Sequence, residues 1–358
     1  MRPCDILIIG TGYFAEIMVC DLAATAPADT TVVIAGRNVE RLKWLCTASN
    51  ARAAIFGRPV QFLTDTFDLR SVDSVAEGLR RWSPSVVVQS ASLQSPWSVD
   101  RPDSGWSRLV NAAGFGITLA FQSMLPVRTA TALQTLGSSA AFVNTCYPDG
   151  VNQVLRARKL PITCGVGNIA IFSSVIAGTH APTERAAIRV LAHHQHLVQW
   201  RRPGAERDGV PPRVWNGETE MTDVQERFRG IQLPFRDLNV ISGASAVPVL
   251  LALAGKQDCR GHVPGPNGLP GGYPVRVKSG AVELDLPAAV SADEAIAWNR
   301  QFEAADGASV TADGRVVYSE RARAALQAVS PEVTAGFDVQ ELESAHAALQ
   351  ALRTRLGG

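Results

Sequence analysis

The sequence predicts an α/β protein that begins with a doubly wound parallel sheet and continues into an α+β domain. Residues 5–9 form a short aliphatic run that stops at Gly10, as a buried parallel strand does. Similar runs then alternate with stretches of helical periodicity as far as residue 146. The chain has 358 residues, enough for two domains, which we place at residues 1–155 and 156–358.

The predicted elements of the first half alternate between strand and helix. After the first strand, we expect strands at residues 31–35, 60–63, 85–89 and 140–146. Helices are expected at residues 14–24, 39–49, 68–82 and 109–136, the last with a break at Pro126. The second half has predicted strands at 162–164, 188–192 and 275–277, and helices at 172–177, 244–254, 292–304 and 339–356. Two segments rich in Pro and Gly, 201–217 and 261–274, are predicted as loops.

The composition argues against several classes of partner. Apolar residues make up 46% of the chain and charged residues 19%, and the formal net charge is +1. We therefore expect neither a nucleic acid nor a membrane as partner. The six cysteines contain no CxxC pattern, and we recognise no signal peptide and no stretch that could span a bilayer. These features predict a cytoplasmic protein.

The turn after the first strand carries the segment Gly10-Thr-Gly12-Tyr13-Phe14-Ala15. Gly10 permits a tight turn, Gly12 lets the backbone approach a pyrophosphate, and Ala15 allows the helix to pack closely on the strand. The unpaired N–H groups at the start of the helix favour phosphate binding. Because the motif follows a strand and opens a helix, it predicts a Rossmann domain that binds a nicotinamide dinucleotide.

The end of the second strand bears on which dinucleotide is bound. The sequence there is Gly36-Arg37-Asn38, without the carboxylate that would accept a hydrogen bond from a ribose hydroxyl. Arg37 can pair with a 2′-phosphate. We therefore predict NADP as the cofactor and leave NAD open, since Arg37 could equally be a solvated residue at a helix start.

The first half resembles the NADP-binding part of saccharopine-dehydrogenase-type reductases. The resemblance rests on three segments, Thr31-Val-Val-Ile-Ala-Gly-Arg37-Asn38, Asp68-Leu-Arg-Ser-Val-Asp-Ser-Val and Val86-Val-Val-Gln-Ser90-Ala91. It implies that the turn at Ser90 and Ala91 lies under the cofactor.

The segments after residue 85 resemble, in their order, the lactate/malate dehydrogenase superfamily. They are 85–92, Leu109-Val-Asn-Ala-Ala-Gly, Phe142-Val-Asn144-Thr-Cys-Tyr147-Pro148, Ile162-Thr-Cys164-Gly-Val-Gly and Val190-Leu-Ala-His193-His194-Gln-His196-Leu. The resemblance covers about residues 1–200. It implies that Asn144 and Tyr147 lie beside the nicotinamide and that His194 takes the place of the catalytic histidine.

The chain departs from that superfamily at two places. Asn168 stands where the family has the aspartate that orients its histidine, so we expect no ordinary His–Asp proton relay. The family's Asn-Pro turn is Tyr147–Pro148 in this chain, with Asn144 three residues before the turn. A related branch, the NAD- and metal-dependent glycosidases, holds a divalent metal with one cysteine and one histidine. Cys164 and His194 occupy comparable places.

Three histidines, His193, His194 and His196, fall within four residues. One interpretation is general acid–base catalysis, because imidazole exchanges protons near neutral pH. A second is a metal site formed by His194 and His196 with Cys164, since these are ligands that zinc accepts. A third is a purely structural role. In an extended segment, His194 and His196 would project to one face and His193 to the other.

Several further residues are candidates for substrate binding. Asp149 follows a strand at the edge where open α/β sheets bind ligands, although Pro-Asp-Gly is also an ordinary turn sequence. Arg101 and Arg108 lie in a segment expected to cover the site and could hold a substrate carboxylate. Tyr273 lies in the glycine-rich segment, which could pass close to a ligand. Trp97 and Trp106 could close over the nicotinamide or pack beneath the loop.

Together these observations predict an NADP-preferring oxidoreductase. It would transfer a hydride to or from the C=O or C=N carbon of a small keto acid or amino-acid-derived imine, with His194 as proton donor or acceptor. The alternatives are a metal-assisted NAD(P)-dependent dehydrogenase or lyase, and a non-catalytic protein that senses NADP. We expect a small-molecule substrate and a homo-oligomer.

Overall fold

The computed structural model describes residues 3–95, 103–234 and 237–358. Six parallel strands form one sheet in the order β3-β2-β1-β4-β5-β6. Their bounds are β1 Ile6–Ile9, β2 Thr31–Gly36, β3 Gln61–Thr66, β4 Val86–Gln89, β5 Ala141–Asn144 and β6 Cys164–Gly165. This order, with its change of direction between β1 and β4, is that of a Rossmann sheet. The predicted doubly wound sheet is confirmed.

Helices cover both faces of the sheet. They are α1 Tyr13–Thr25, α2 Val39–Ile55, α3 Val72–Trp82, α4 Gly105–Ala113, α5 Leu119–Thr135 and α6 Pro148–Ala157. Alternate residues of β1 enter opposite cores, Leu7 and Ile9 one and Ile6 and Ile8 the other, and all four are fully buried. The strands are apolar on both sides for this reason, because each face is covered by helices.

The predicted helix at 109–136 is interrupted, but not at Pro126. The chain breaks at Gly114, passes through a 3-10 turn at Phe115–Thr118 and continues as α5, which contains Pro126. Gly114 has a φ of +103°, and a Cβ there would collide with the carbonyl oxygen of Asp306. The position of the break therefore depends on a contact with a distant part of the chain.

The second half contains three antiparallel sheets of three strands. Their strands are β7 Ile188–Leu191, β8 Arg213–Asn216, β9 Thr219–Glu220, β10 Cys259–Pro264, β11 Gly272–Lys278, β12 Ala281–Leu284, β13 Ala308–Val310, β14 Arg315–Tyr318 and β15 Phe337–Asp338. The helices are α7 Ile169–Gly178, α8 His194–Trp200, α9 Val224–Arg227, α10 Asn239–Leu253, α11 Ala292–Arg300, α12 Glu320–Gln327 and α13 Leu342–Arg355. The predicted α+β region is therefore present.

The two halves share their cores. Residue 155, where we placed the boundary, lies inside α6, and β6 beyond it completes the parallel sheet. On one face α10 packs against α1, where Gly243 approaches Ile17 so closely that a Cβ would lie 2.5 Å from its Cγ2. On the other face α13 packs against α5. The second half thus packs against helices on both faces of the parallel sheet.

Both predicted loops contain strands. Segment 261–274 forms most of the antiparallel hairpin of β10 and β11, with Val263 opposite Tyr273. Its glycines concentrate at the hairpin tip, where Gly265, Gly268 and Gly271 have positive φ. Segment 201–217 includes β8, which pairs with β7. The prediction of loops relied on glycine and proline content and overlooked the apolar residues that these strands bury.

In the described parts of the chain, no helix is long and apolar enough to cross a membrane.

Candidate functional site

The turn after β1 is shaped for close approach of a ligand. Gly10 has a φ of +136°, and a Cβ there would lie 2.9 Å from the carbonyl carbon of Ser90 at the end of β4. Gly12 is the N-cap of α1, and a Cβ there would meet nothing within 4 Å. Ala15 is fully buried on the sheet side of α1. The turn is therefore tightly packed behind Gly10 and open in front of Gly12, where the N–H groups of α1 begin.

The remaining predicted cofactor residues of this edge differ in exposure. Tyr13 is 50% exposed, whereas Phe14 is half-buried. Arg37 and Asn38 are exposed after β2, and the Asn38 side chain caps α2 by accepting a hydrogen bond from the backbone of Arg41. Arg37 thus lies at the edge of the sheet on the β2 side of the turn.

The three clustered histidines have distinct positions, and the segment is not extended. His193 is the N-cap of the helix α8, and its side chain accepts from the backbone N–H of Gln195. His196 completes the cap, because its Nδ1 accepts from the backbone N–H of His193 at 2.9 Å. The arrangement expected for an extended segment, with His194 and His196 on one face, therefore does not apply, because the segment is helical. Two of the histidines hold the helix start, and His194 lies beside them.

His194 is paired with a carboxylate that sequence reasoning missed. Its Nδ1 lies 3.0 Å from Oδ1 and 3.1 Å from Oδ2 of Asp306. Asp306 ends a 3-10 turn that starts at Glu303, and its side chain is 2% exposed. Gln195 also donates to Asp306. With Asn168 in place of a carboxylate, the sequence predicted no ordinary His–Asp relay, but a His–Asp pair nevertheless exists, with its carboxylate supplied from 112 residues further along the chain.

The three histidines differ in the direction in which their surroundings shift the pKa. Burial alone would lower the pKa of His194, but the Asp306 carboxylate outweighs it, so the net pKa is raised. Burial lowers the pKa of His193, and it lowers the pKa of His196 to about 3. Burial would raise the pKa of Asp306, yet His194 brings it down to about 2. Of the three imidazoles, only that of His194 is prepared to carry a proton near neutral pH.

Two aromatic rings, those of Tyr147 and Phe115, lie near the His194 ring. The Tyr147 ring lies 5.9 Å from the His194 ring, and Phe115 lies edge-on to Tyr147 at 5.0 Å. The Tyr147 hydroxyl donates to Asp306 at 3.3 Å. Tyr147 has a φ of +42° as the N-cap of α6. This residue, predicted at the nicotinamide, therefore belongs to the His194–Asp306 site at the carboxyl end of β5.

Asn144, the other residue expected beside the nicotinamide, is fully buried. Its amide donates to Asn152 and to the carbonyl of Cys146, and its oxygen accepts from the backbone of Cys146. These bonds use the side chain inside the turn after β5. We therefore assign Asn144 to the stability of that turn.

A second acidic group lies beside the pair. Asp149, in the first turn of α6, is 3% exposed and accepts a hydrogen bond from the Asn168 side chain. Gln153, one turn further along α6, donates to Glu303 at 2.7 Å. Asn168 thus holds Asp149 rather than a histidine.

The other predicted substrate residues are not gathered at this site. Tyr273 is fully buried in β11 and donates to the carbonyl of Pro270 at 2.6 Å, so its hydroxyl serves the hairpin. Arg108 is exposed on α4 and donates to the carbonyl of Asp103. Trp106 is fully buried and bonds Gln94. Arg101 and Trp97 lie outside the described residues.

The alternative metal site finds little support in the geometry. Cys164 is fully buried in β6, and burial raises the pKa of its thiol to about 12, which disfavours the thiolate that binds metals. Within residues 3–95, 103–234 and 237–358, no group of three or more His, Cys, Asp or Glu side chains could hold a metal ion.

Comparisons with known proteins agree on the fold. No protein-family model matches the chain, and no curated protein matches it. Among solved structures, it is similar to lactate dehydrogenase from Eimeria maxima with NADH and oxamate, at a TM-score of 0.51 and 13% identity over 98% of this chain and 97% of that chain. It is also similar to malate dehydrogenase of Cryptosporidium parvum, at 0.50 and 14%, covering 84% and 96%. The minor L-lactate dehydrogenase of Enterococcus mundtii gives 0.50 and 14%, covering 84% and 95%. The chain thus has the lactate/malate dehydrogenase fold.

Proposed function

We propose that this protein is an NAD(P)-dependent oxidoreductase acting on the C=O or C=N carbon of a small substrate. The proposal depends on the His194–Asp306 pair. This pair lies near the same edge of the parallel sheet as the Gly10 turn. Because parallel strands end at one edge, the turns after β1, β4 and β5 lie side by side there, with Ser90 bonded to Ile9 and Thr145 to Gln89. Tyr147, just beyond β5, contacts His194.

The turn after β1 fits the pyrophosphate of a dinucleotide. Gly12 leaves the space before the α1 N-terminus free of side chains, and Gly10 admits β4 closely behind it. When bound, a nicotinamide dinucleotide supplies or accepts the hydride. The similar structure from Eimeria maxima contains NADH and oxamate, which supports this reading of the shared fold.

His194 is the proposed proton donor for reduction and acceptor for oxidation. Asp306 receives Nδ1–H, which fixes the tautomer and leaves Nε2 as the nitrogen that exchanges a proton with the substrate. The Asp306 carboxylate also stabilises the imidazolium that forms when His194 takes up a proton. Gln195 and Tyr147 hold the carboxylate in place from two other directions.

Arg37 supports a preference for NADP. It is exposed after β2, where the adenosine ribose lies in Rossmann domains, and a guanidinium there can pair with a 2′-phosphate. A homo-oligomer remains a prediction from the sequence.

The test is turnover by the purified protein with NADPH and a panel of carbonyl compounds and imines. We expect His194→Asn to lower kcat by about 10²–10⁴-fold, the range of general acid–base catalysis, while dinucleotide affinity stays near that of the wild type. His180→Asn, at the end of α7, is the matched control and should leave kcat near wild type. Full activity of the His194→Asn variant would refute the assignment of the proton donor.

A further inference from the structure

Asp149 presents a buried carboxylate oxygen that lacks a donor. The side chain is 3% exposed, and its Oδ2 is engaged by Asn168. Its Oδ1 is fully buried, with no hydrogen-bond partner among the residues that the structure describes. An unpaired buried carboxylate oxygen is costly, and such exceptions in folded proteins mark a missing water, ion or ligand. The position therefore calls for a hydrogen-bond donor from outside the chain.

The donor would enter next to the proton-transfer residue. The Asp149 carboxylate is near enough to His193 and His194 to favour the protonated form of both, although burial is the largest influence on each pKa and Asp306 the next. The same α6 turn carries Tyr147, whose ring packs against His194. Asp149 thus lies close to His194, on the turn that also carries Tyr147.

Asp149 is a buried carboxylate whose charge has no cationic partner among the residues that the structure describes. By contrast, Asp306 is paired with His194 and lies close enough to Arg201 to interact with its charge, and Glu303 interacts with Arg300 in the same way. Burial raises the pKa of Glu303, which is bonded by Gln153. Asp149 is left as the carboxylate available to an incoming cation. A ketone has no N–H or O–H to donate to Oδ1, and neither a ketone nor an alcohol is charged, whereas an iminium or ammonium group has both an N–H donor and a positive charge.

We propose that the substrate carries nitrogen on its reacting carbon, an iminium in the reductive direction and an amine in the oxidative one, with its N–H donated to Oδ1 of Asp149. This rests on the proposed function. Hydride from the reduced dinucleotide adds to the iminium carbon, and the electron pair of the C=N bond stays on nitrogen, giving a neutral amine. The amine takes a proton from His194 and becomes an ammonium ion. The dinucleotide is left oxidised by two electrons, and His194 recovers a proton from water.

Methylammonium is a small probe that has both the positive charge and the N–H donors this site requires, and its binding requires no turnover. We would follow thermal unfolding in methylammonium, tetramethylammonium and sodium chloride at equal concentration. Binding to the folded state raises Tm. The wild-type protein should be stabilised by methylammonium over tetramethylammonium, which has no N–H to donate. Equal Tm values in the three salts would overturn the proposal, whatever the enzyme does with a dinucleotide.

Matched variants locate the effect. Asp149→Asn keeps an oxygen for Asn168 but removes the charge, and should weaken methylammonium binding at least about 10-fold. Glu303→Gln removes a neighbouring carboxyl that already has a partner, and should retain the wild-type response. An undiminished response in Asp149→Asn would also overturn the proposal. If that variant does not fold, the comparison of methylammonium with tetramethylammonium on the wild type decides alone.

Turnover separates this inference from the proposed function. With NADPH, we compare pyruvate alone and pyruvate with methylamine, which form an imine in solution. Faster oxidation of NADPH with methylamine, lost in Asp149→Asn, supports the inference. Reduction of pyruvate that is indifferent to methylamine and to Asp149→Asn would overturn it and leave the oxidoreductase function intact. Methylammonium binding at Asp149 without any hydride transfer would instead count against the oxidoreductase function.

Discussion

Replacement of Asp306 by asparagine removes the charge that prepares His194 for proton transfer. The side chain is 2% exposed, and its oxygens lie 3.0 and 3.1 Å from Nδ1 of His194. Without the carboxylate, burial is opposed only by the weaker influence of Asp149 and lowers the pKa of His194. The asparagine can also present its amide to Nδ1, which would favour the wrong imidazole tautomer. Both effects weaken the same proton-transfer step.

The structure gives a scale for the loss of stability. The pKa of Asp306 falls from its ordinary value of 3.8 to about 2, chiefly because the pull of His194 exceeds the opposing effect of burial. At 1.36 kcal/mol per unit, this difference is worth about 2–3 kcal/mol. A lowered carboxylate pKa contributes stability above pH 3.8, and that contribution disappears as the pH falls toward 2. The raised pKa of His194 contributes below 6.5 and is lost as the pH rises through the folded-state value.

The assays are urea unfolding and the pH dependence of kcat/KM. We expect Asp306→Asn to lose about 2–3 kcal/mol of unfolding free energy near pH 5, less at alkaline pH, and about 10²–10⁴-fold in kcat. The pH limb that His194 controls should move to lower pH. Glu303→Gln, in the same 3-10 turn, should leave that limb in place. An unchanged pH limb and rate in Asp306→Asn would refute the reasoning.

Three further predictions test the cofactor turn and the buried histidine. Gly10→Ala should lower the free energy of unfolding by about 1–3 kcal/mol, because the φ of Gly10 is +136° and a Cβ would overlap the residues at the end of β4. Gly12→Ala should keep the stability of the wild type but bind the dinucleotide more weakly. Thermal unfolding measures the first effect and fluorescence titration the second. Arg37→Ala should weaken NADP binding by about 10–100-fold and NAD binding little. Arg80→Ala, on α3, is the control and should change neither affinity. Equal losses of affinity for both dinucleotides would contradict the 2′-phosphate contact. Burial lowers the pKa of His196 from 6.5 to about 3, so the wild type should lose about 2 kcal/mol of unfolding free energy between pH 7 and about pH 5 because of this residue. His196→Asn should remove that part of the pH dependence. The same pH dependence in the variant and the wild type would show that His196 is not the cause.

The parallel sheet was predictable because its signals are local. Each central strand is an apolar run that ends at a turn, and the spacing of Gly10 and Gly12 predicts the tight turn after the first strand. The helix break at Gly114 was not predictable, because it depends on close contact between Gly114 and the backbone of Asp306. No local sequence pattern indicates that contact. Pro126 gave the stronger local signal, yet α5 accommodates it.

The site divides in the same way. Its histidine segment stood out because three histidines are close in sequence, but α8 has only seven residues, too few for helical periodicity to show. The partner of His194 is 112 residues away and sits in an unremarkable Asp-Gly pair after a helix. The absence of an aspartate at position 168 pointed away from a His–Asp pair. The fold supplies the carboxylate from its second half instead, and only tertiary structure shows it.

A crystal structure with bound NADPH would show whether the Gly10 turn and His194 serve one active site. We predict that the pyrophosphate contacts the backbone N–H groups at Gly12 and the start of α1, and that nicotinamide C4 faces His194. The 2′-phosphate should contact Arg37. NADPH bound away from the Gly10 turn, or a nicotinamide separated from His194 by the sheet, would contradict this prediction.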